Sequence, residues 1–418
     1  MVSGSREPTS NGHATTTNGN PLNLPDSASP SIFLDHPTEE ERIGLWIKNG
    51  AMWKGALSLE AYIHREKHLS DQEFTKDGGI TWWILVDKEG SGRVILSACE
   101  TFRKKALVFQ NGKAEEVITH GIGSVFCPPE CRKRGYAQRM MKLLGEKLRT
   151  WQTSSDQRCA FSILYSDIGK KFYADHGWEP FDSAHISLSV AGGSNVLTNG
   201  NESTNGHALE ARPLYASDLP KLCAIDEQLI RQTATRAPPN KTFVALTPNH
   251  ANISWHQARE DFVGHELYGR KPVVKGAIVG TEPGKRVWCY FNRVWYNPDP
   301  NSTQGNTLHI LRLVVEEKGA FNWEKASQGD DMDVHVPAIA ALFRLAKKEA
   351  QEWNMEDVEI WNPNGATVKA VKCLAPEAEV VHRDKESIAS LMWYGERPNG
   401  GSVRDYVDWL ANEKYGWC

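Results

Sequence analysis

Apolar positions are almost absent from residues 1 to 30, a run of Ser, Thr, Asn, Gly and Pro that cannot offset the entropy cost of ordering. This stretch reads as a disordered tail. A second segment of the same kind, GGSNVLTNGNESTNGH from Gly192, reads as a flexible linker over residues 192–208. The pattern therefore predicts two ordered units, residues 31–191 and 209–418, each of ordinary domain size.

In the first unit, Thr38 with Glu41 has capping-box spacing and predicts a helix over Thr38 to Lys48; another is expected near Ser58 to Lys67. Strand-type runs follow at Thr81 to Val86, Arg93 to Cys99 and Ile118 to Cys127. After a Pro-Pro break the period changes, and Tyr136, Met140, Leu144 and Leu148 recur every four residues on one helical face. A strand (Arg158 to Tyr165), a helix (Asp167 to His176) and a last strand (His185 to Val190) complete the unit. The mixture implies an α/β or α+β mixed sheet. The second unit repeats this order, with helices at Ala216 to Gln232 and Pro337 to Trp353. Its strands are expected at Val273 to Val279, Val287 to Trp295, Leu308 to Val315 and Val358 to Trp361.

Charge changes this picture only locally. The chain of 418 residues has 48 Lys+Arg against 52 Asp+Glu, a net charge of −4, which calls for neither a nucleic-acid nor a membrane-surface partner. No run reaches the ~18 apolar residues of a membrane span, and the first residues lack the zones of a signal peptide. The eight cysteines are scattered, without paired zinc-ligand spacing, so no metal is expected and a reducing, cytoplasmic setting is.

The informative stretch runs from Gly123 to Ala137, a strand that turns directly into a helix with the spacing Arg132-x-x-Gly135-x-Ala137. Small residues let the backbone approach a ligand there, and the first helical N–H groups point outward with the positive end of the dipole, a cradle for phosphate. Arg132, Lys133 and Arg134 add charge, although such a run can equally be a solvated surface. Further on, Phe172-Tyr173 precedes Gly177-Trp178, on a helix that follows a second parallel-type strand.

Together these motifs resemble the GCN5-related N-acetyltransferase (GNAT) superfamily. Arg132, Gly135 and Ala137 match its acetyl-CoA loop, and Phe172, Tyr173, Gly177 and Trp178 match its later helix. The resemblance covers residues 31–191 and implies that the strands Ile118 to Cys127 and Arg158 to Tyr165 splay apart to admit the pantetheine arm. Backbone groups of Val125, Phe126 and Cys127 would bind that arm, and the amides of Lys133, Arg134, Gly135, Tyr136 and Ala137 would hold the pyrophosphate. Ser166 stands where the family often has a cofactor-contacting Asn, and can also serve as a helix cap.

Tyr173 is the candidate general acid, since a phenol can donate a proton to the departing CoA thiolate; its plain alternative is a core aromatic. The family's frequent base, a Glu on the fourth strand, is missing from Gly121-Ile122-Gly123-Ser124. His120 and Glu100 are nearby candidates. A third is the terminal carboxylate of Cys418, because the chain ends on Tyr415-Gly416-Trp417-Cys418 and some two-lobed relatives use their terminus as base.

The second unit looks like a degenerate GNAT-like domain. An acidic insertion (Glu316, Glu317, Asp330, Asp331, Asp333) stands where its phosphate loop should be and would repel CoA. Trp288, Trp295, Trp323, Trp361 and Trp393 could shape a pocket for a cation or simply fill the core. The order of the two halves resembles the fungal lysine N6-acetyltransferase family. That resemblance implies acetyl transfer from acetyl-CoA to a small-molecule amine, above all the ε-amine of free L-lysine. A polyamine, a secondary metabolite or a protein lysine remains as acceptor, and a CoA-binding sensor remains as the non-catalytic alternative.

Overall fold

The computed structural model describes residues 24–88, 93–191, 209–234, 241–317, 333–397 and 400–417. The proposed linker, most of the tail and Cys418 lie outside them. Residues 24–30, assigned above to the tail, are placed: Tyr136 Oη donates to the Pro25 carbonyl, and Leu24 packs against the core beneath that helix. A composition poor in apolar groups missed this because a single Leu and one backbone acceptor anchor the segment.

The chain opens with β1 (Ile32–Asp35), α1 (Glu39–Trp53) and α2 (Leu59–Ser70). Thr38 and Glu41 form the expected reciprocal capping box, and Ser58 caps α2. Next come β2 (Ile80–Asp87), β3 (Ile95–Gln110), β4 (Lys113–Phe126), α3 (Tyr136–Leu148) and β5 (Cys159–Ser166). A short α4 (Lys171–Ala174), β6 (Glu179–Pro180) and β7 (Ala184–Ser189) end the first half. The second half contains β8 (Arg212–Leu214), α5 (Leu219–Ala234), β9 (Thr242–Leu246), α6 (His250–Tyr268), β10 (Gly276–Val279), β11 (Val287–Val294) and β12 (Thr307–Val315). It finishes with α7 (Val336–Glu352), β13 (Asp357–Trp361), α8 (Gly365–Leu374), β14 (Val380–His382), β15 (Ile388–Trp393) and β16 (Val407–Leu410).

Two mixed sheets result, and they exchange strands. The first runs β1-β2-β3-β4-β5-β15-β6, with β9 on the far end of β3 and β16 on β9; the second runs β14-β7-β13-β12-β11-β10-β8. The last strand before residue 191 thus belongs to the second sheet, where His185 faces Trp361, while β15 crosses back to pair Ile388 with Ser166. Residue 191 is therefore not the boundary between the sheets. Alternation along a segment shows that it is a strand but not which neighbour it takes.

The first sheet's two faces have different jobs. On one, α3 buries Tyr136, Met140, Met141, Leu144 and Leu148 against Cys99, Ile122 and Leu164. The other looks toward α1, α2 and α6, where Trp255 Nε1 donates to the Leu69 carbonyl and ties α6 to the end of α2. Buried ion pairs position α6: Glu260 accepts from Arg293 Nη1 at 3.0 Å and from Lys275 Nζ at 2.7 Å.

In the second sheet β12 and β13 run parallel from Thr307/Asp357 to Ile310/Ile360, and β12 continues beyond that ladder. Where they part, the Glu413 carboxylate accepts from the Leu313 amide at 3.0 Å and from Arg312. The chain's own side chain thus fills the opening. The described residues of the acidic insertion are engaged in pairs: Glu316 with Arg286, Glu317 with His335 and Asp333 with Lys369. Among the described residues no helix is long and apolar enough to cross a membrane.

Candidate functional site

The β4/β5 ladder is parallel from Ile118/Cys159 to Ile122/Leu164, and β4 then continues to Phe126 without a β5 partner. The two strands diverge as expected. Opposite, Gly123 pairs with Glu100 and Phe126 with Ala98, so Ser124 and Val125 together face the single residue Cys99. This is a β-bulge, with Ser124 in the left-handed region at φ 50°. It turns backbone groups out of the ladder beside the divergence.

The turn into α3 supplies the anion cradle. Gly135 precedes the helix at φ 83° with no side-chain cap on the first amides, and Lys133 is also left-handed at φ 60°. Arg132, Lys133 and Arg134 are exposed around it, with Arg132 Nε donating to the Cys127 carbonyl at 3.0 Å. A Cβ on Gly135 would lie 2.5 Å from Ser27 Oγ, so the placed part of the tail borders this turn.

Tyr173 is 8 % exposed, packed edge-on to Phe172 at 4.9 Å and within the same core group as Cys99 and Tyr136. Burial, with the neighbouring Cys99 and Asp167, raises its hydroxyl pKa and keeps it protonated. The helix carrying it is shorter than expected. Ile168, within the expected helix, is 62 % exposed and precedes the first helical residue. Ser166 accepts from the Ile168 amide and donates to the Gly169 carbonyl, closing the turn before α4 rather than capping the helix itself, whose cap position is Lys170.

On the other face lies a cavity of about 600 Å³, within the usual range for small-molecule sites. Gly123, Ser124 and Glu100 form its floor. Cys99 and Glu100 are successive residues of one strand, so Cys99 points to the Tyr173 side and Glu100 into this cavity. Ser124 Oγ donates to Glu100 Oε1 at 2.6 Å. Burial, reinforced by the charge of Glu66, lifts the Glu100 pKa to about 7, against the pull of the Ser124 hydrogen bond and Arg65.

The cavity walls come from both halves of the chain. Trp46, Trp82, Trp255, Trp295, Trp361 and Trp417 supply aromatic surface. Of the tryptophans singled out above, Trp295 and Trp361 are among them; Trp288 and Trp393 are core residues, and Trp323 lies outside the described residues. Also in the lining, Glu359 accepts from Trp361 Nε1 at 2.8 Å and lies 3.3 Å from His309 Nδ1. Burial opposes its charge, yet the histidine contacts hold its carboxyl well below the usual range. Lys414 Nζ lies over Trp361 and Trp417 at 4.3 and 4.5 Å, and burial lowers its pKa to about 7.

The candidate bases separate clearly. His120 is fully buried away from the cavity, its Nε2 3.1 Å from the Trp151 carbonyl, and burial lowers its pKa to about 4. Cys418 lies outside the described residues, whereas Trp417 before it lines the cavity. The helix α6 and its residues Trp255 and Arg259 were missed by the sequence reading, because HANISWHQAREDFVGHELY has no apolar stripe. Its ends were readable: Asn249 caps the Asn252 amide, and Gly269 closes it at φ 66°.

Comparison with known proteins gives matches to a family, to two curated relatives and to solved structures. The family described as the LYC1 GNAT-like C-terminal domain matches residues 195–418. A lysine acetyltransferase of Yarrowia lipolytica is 26% identical over 260 residues, covering 54% of this chain and 65% of the relative. An uncharacterized Saccharomyces cerevisiae protein is 22% identical over 419 residues, covering 92% of this chain and 97% of the relative. Among solved structures, a GCN5-related N-acetyltransferase of Anabaena variabilis aligns with 86% of this chain and 72% of its own at TM-score 0.46 and 14% identity.

Proposed function

This chain belongs to the family of the LYC1 GNAT-like C-terminal domain and is an acetyltransferase of the GNAT type, and on that premise we propose that its acceptor is the ε-amine of free L-lysine. The observation that carries the reading is the position of Glu100 on the floor of an aromatic-walled cavity, on the opposite side of β3 from Tyr173. The similarity to the Yarrowia lipolytica lysine acetyltransferase supports the choice of amine. A cytoplasmic site of action belongs to the same reading.

The residues present fit acetyl-CoA. The left-handed Gly135 and the uncapped amides of α3 suit the pyrophosphate, with Arg132, Lys133 and Arg134 around it. The bulge residues Ser124 and Val125, followed by Phe126 and Cys127, lie along the strand divergence where β4 has no β5 partner. Acetyl-CoA supplies an activated thioester carbonyl. The protein supplies position: the amine enters from the cavity face and the thioester from the α3 face, and they meet at the bulge.

An alkyl ammonium enters the cavity as a cation, favoured by the tryptophan faces and by Glu66 and Glu100. Transfer needs the neutral amine, so Glu100 accepts its proton, directly or through one water. A carboxylate with a pKa of about 7 is a stronger base than an ordinary glutamate while still ionised in half or more of the molecules at neutral pH. The neutral amine attacks the thioester carbonyl; as the C–N bond forms and the C–S bond breaks, the Tyr173 hydroxyl gives its proton to the leaving thiolate and regains one from the acylated nitrogen, which sheds its second proton. Thiol release from acetyl-CoA across a panel of free amines tests the reading: L-lysine should lead, and a polyamine leading instead would move the acceptor while keeping the enzyme class.

A further inference from the structure

Arg259 stands on α6 in the wall of the same cavity, and it makes no hydrogen bond or ion pair to any described residue. Its guanidinium carbon lies 5.4 Å from the centre of the Trp417 ring. Of the other cations of the cavity, Arg65 pairs with Glu66 at 2.6 Å, and Arg383 donates from Nη1 to the Ala184 carbonyl at 2.9 Å while its Nε and Nη2 have no hydrogen-bond partner among the described residues. Lys414 rests between Trp361 and Trp417 as an ammonium without a fork of donors.

A half-buried guanidinium without a carboxylate is costly, and burial lowers the Arg259 pKa to about 10. An incoming anion would repay that cost with two parallel hydrogen bonds. The groups that face Arg259 across the cavity include Arg65, Glu66, Tyr62 and Tyr296, with Lys414 near the same Trp417 ring. Glu66 is paired with Arg65, and among the described residues no carboxylate forms an ion pair with Arg259.

We propose that Arg259 binds the α-carboxylate of the acceptor and so restricts the site to free amino acids over diamines of the same length. This rests on the lysine reading above. A lysine lying between the two groups would present its carboxylate to Arg259 and its ε-amine to Glu100, with four methylenes along the tryptophan faces. Arg259 is here a specificity residue that touches substrate but not the reacting atoms. Loss of the charge should therefore act mainly on KM and only for acceptors that carry a carboxylate.

The test compares L-lysine with cadaverine, which is lysine without its carboxylate, at saturating acetyl-CoA. In Arg259→Gln, kcat/KM for L-lysine should fall about 100-fold, mostly through KM, while cadaverine changes less than about threefold. Arg259→Lys keeps the charge without the fork and should recover part of the lysine activity; it also serves if the Gln variant melts early. An equal fall with both acceptors, or no fall with lysine, overturns the assignment of Arg259 and leaves lysine acetylation standing. Wild-type enzyme that prefers cadaverine overturns it as well. Wild-type enzyme inert toward every free amino acid overturns the lysine reading and this inference together.

Discussion

Ser124 Oγ donates a 2.6 Å hydrogen bond to Glu100 Oε1, and the donor is itself a residue of the bulge that opens β4 away from β5. The carboxylate proposed as base and the backbone distortion proposed to admit the thioester thus form one local device. Glu100 shares its environment with Glu66 and Arg65, and Lys414 titrates near the same pH farther along the cavity. Below pH about 7 Glu100 is protonated and cannot accept the amine's proton; above it the base is free. The log of kcat/KM should rise with pH through about 7. Glu100→Gln should remove that limb and lower kcat/KM about 100- to 1000-fold. Lys414→Met, measured in parallel, separates the contribution of the ammonium, and a rising limb retained in Glu100→Gln would exclude Glu100 as base.

Removing the Ser124 hydrogen bond tests the coupling itself. That bond pulls the Glu100 pKa down, so Ser124→Ala should move the rising limb to higher pH. An unmoved limb would mean that the limb belongs to another group.

Tyr173→Phe removes the proton donor and keeps the ring against Phe172. Turnover should drop about 10- to 100-fold while acetyl-CoA affinity, read by calorimetry, stays within about twofold. Wild-type turnover in that variant would return Tyr173 to the status of a core aromatic.

At the helix start, Gly135 at φ 83° tolerates no side chain easily, and a Cβ there would also meet Ser27. Gly135→Val should destabilise the protein by about 1–3 kcal/mol in denaturant titrations and raise the KM for acetyl-CoA more than that for the amine. Adding Ser27→Gly relieves the contact but not the backbone strain, so recovery should be partial.

Much of this was legible in the sequence, and the failures have physical causes. The Thr38 box and the Tyr136–Leu148 stripe are local signals that stand as read, and the glycine at position 135 does start that helix in the left-handed region. The exchange of β7 and β15 was not legible, because a strand's sequence encodes its faces and not its partner. Glu100 was a candidate among three, since the bulge that brings Ser124 to it depends on pairing across two strands. Arg259 gave no signal at all. It sits on a helix whose buried face carries polar groups: Gln257, which donates to the Lys275 carbonyl, and Glu260, held by ion pairs from Lys275 and Arg293.

Those ion pairs predict a structural effect separable from chemistry. Arg293 is fully buried between Glu260 and Glu349, and Arg293→Met would leave Glu260 with Lys275 as its remaining buried cation. Unfolding free energy should fall by about 3–5 kcal/mol. Because α6 carries Arg259, the KM for lysine should rise with it, while the pH limb assigned to Glu100 stays near its wild-type position.

The central claim is that this fold moves acetyl from acetyl-CoA to the side-chain amine of free lysine. Incubation of the purified full chain with acetyl-CoA and L-lysine, followed by mass spectrometric identification of the product against release of CoA thiol, tests it most directly. The account predicts lysine-dependent thiol release matched one for one by N6-acetyllysine. Thiol release that does not depend on lysine, or acetylation at the α-amine, would contradict it.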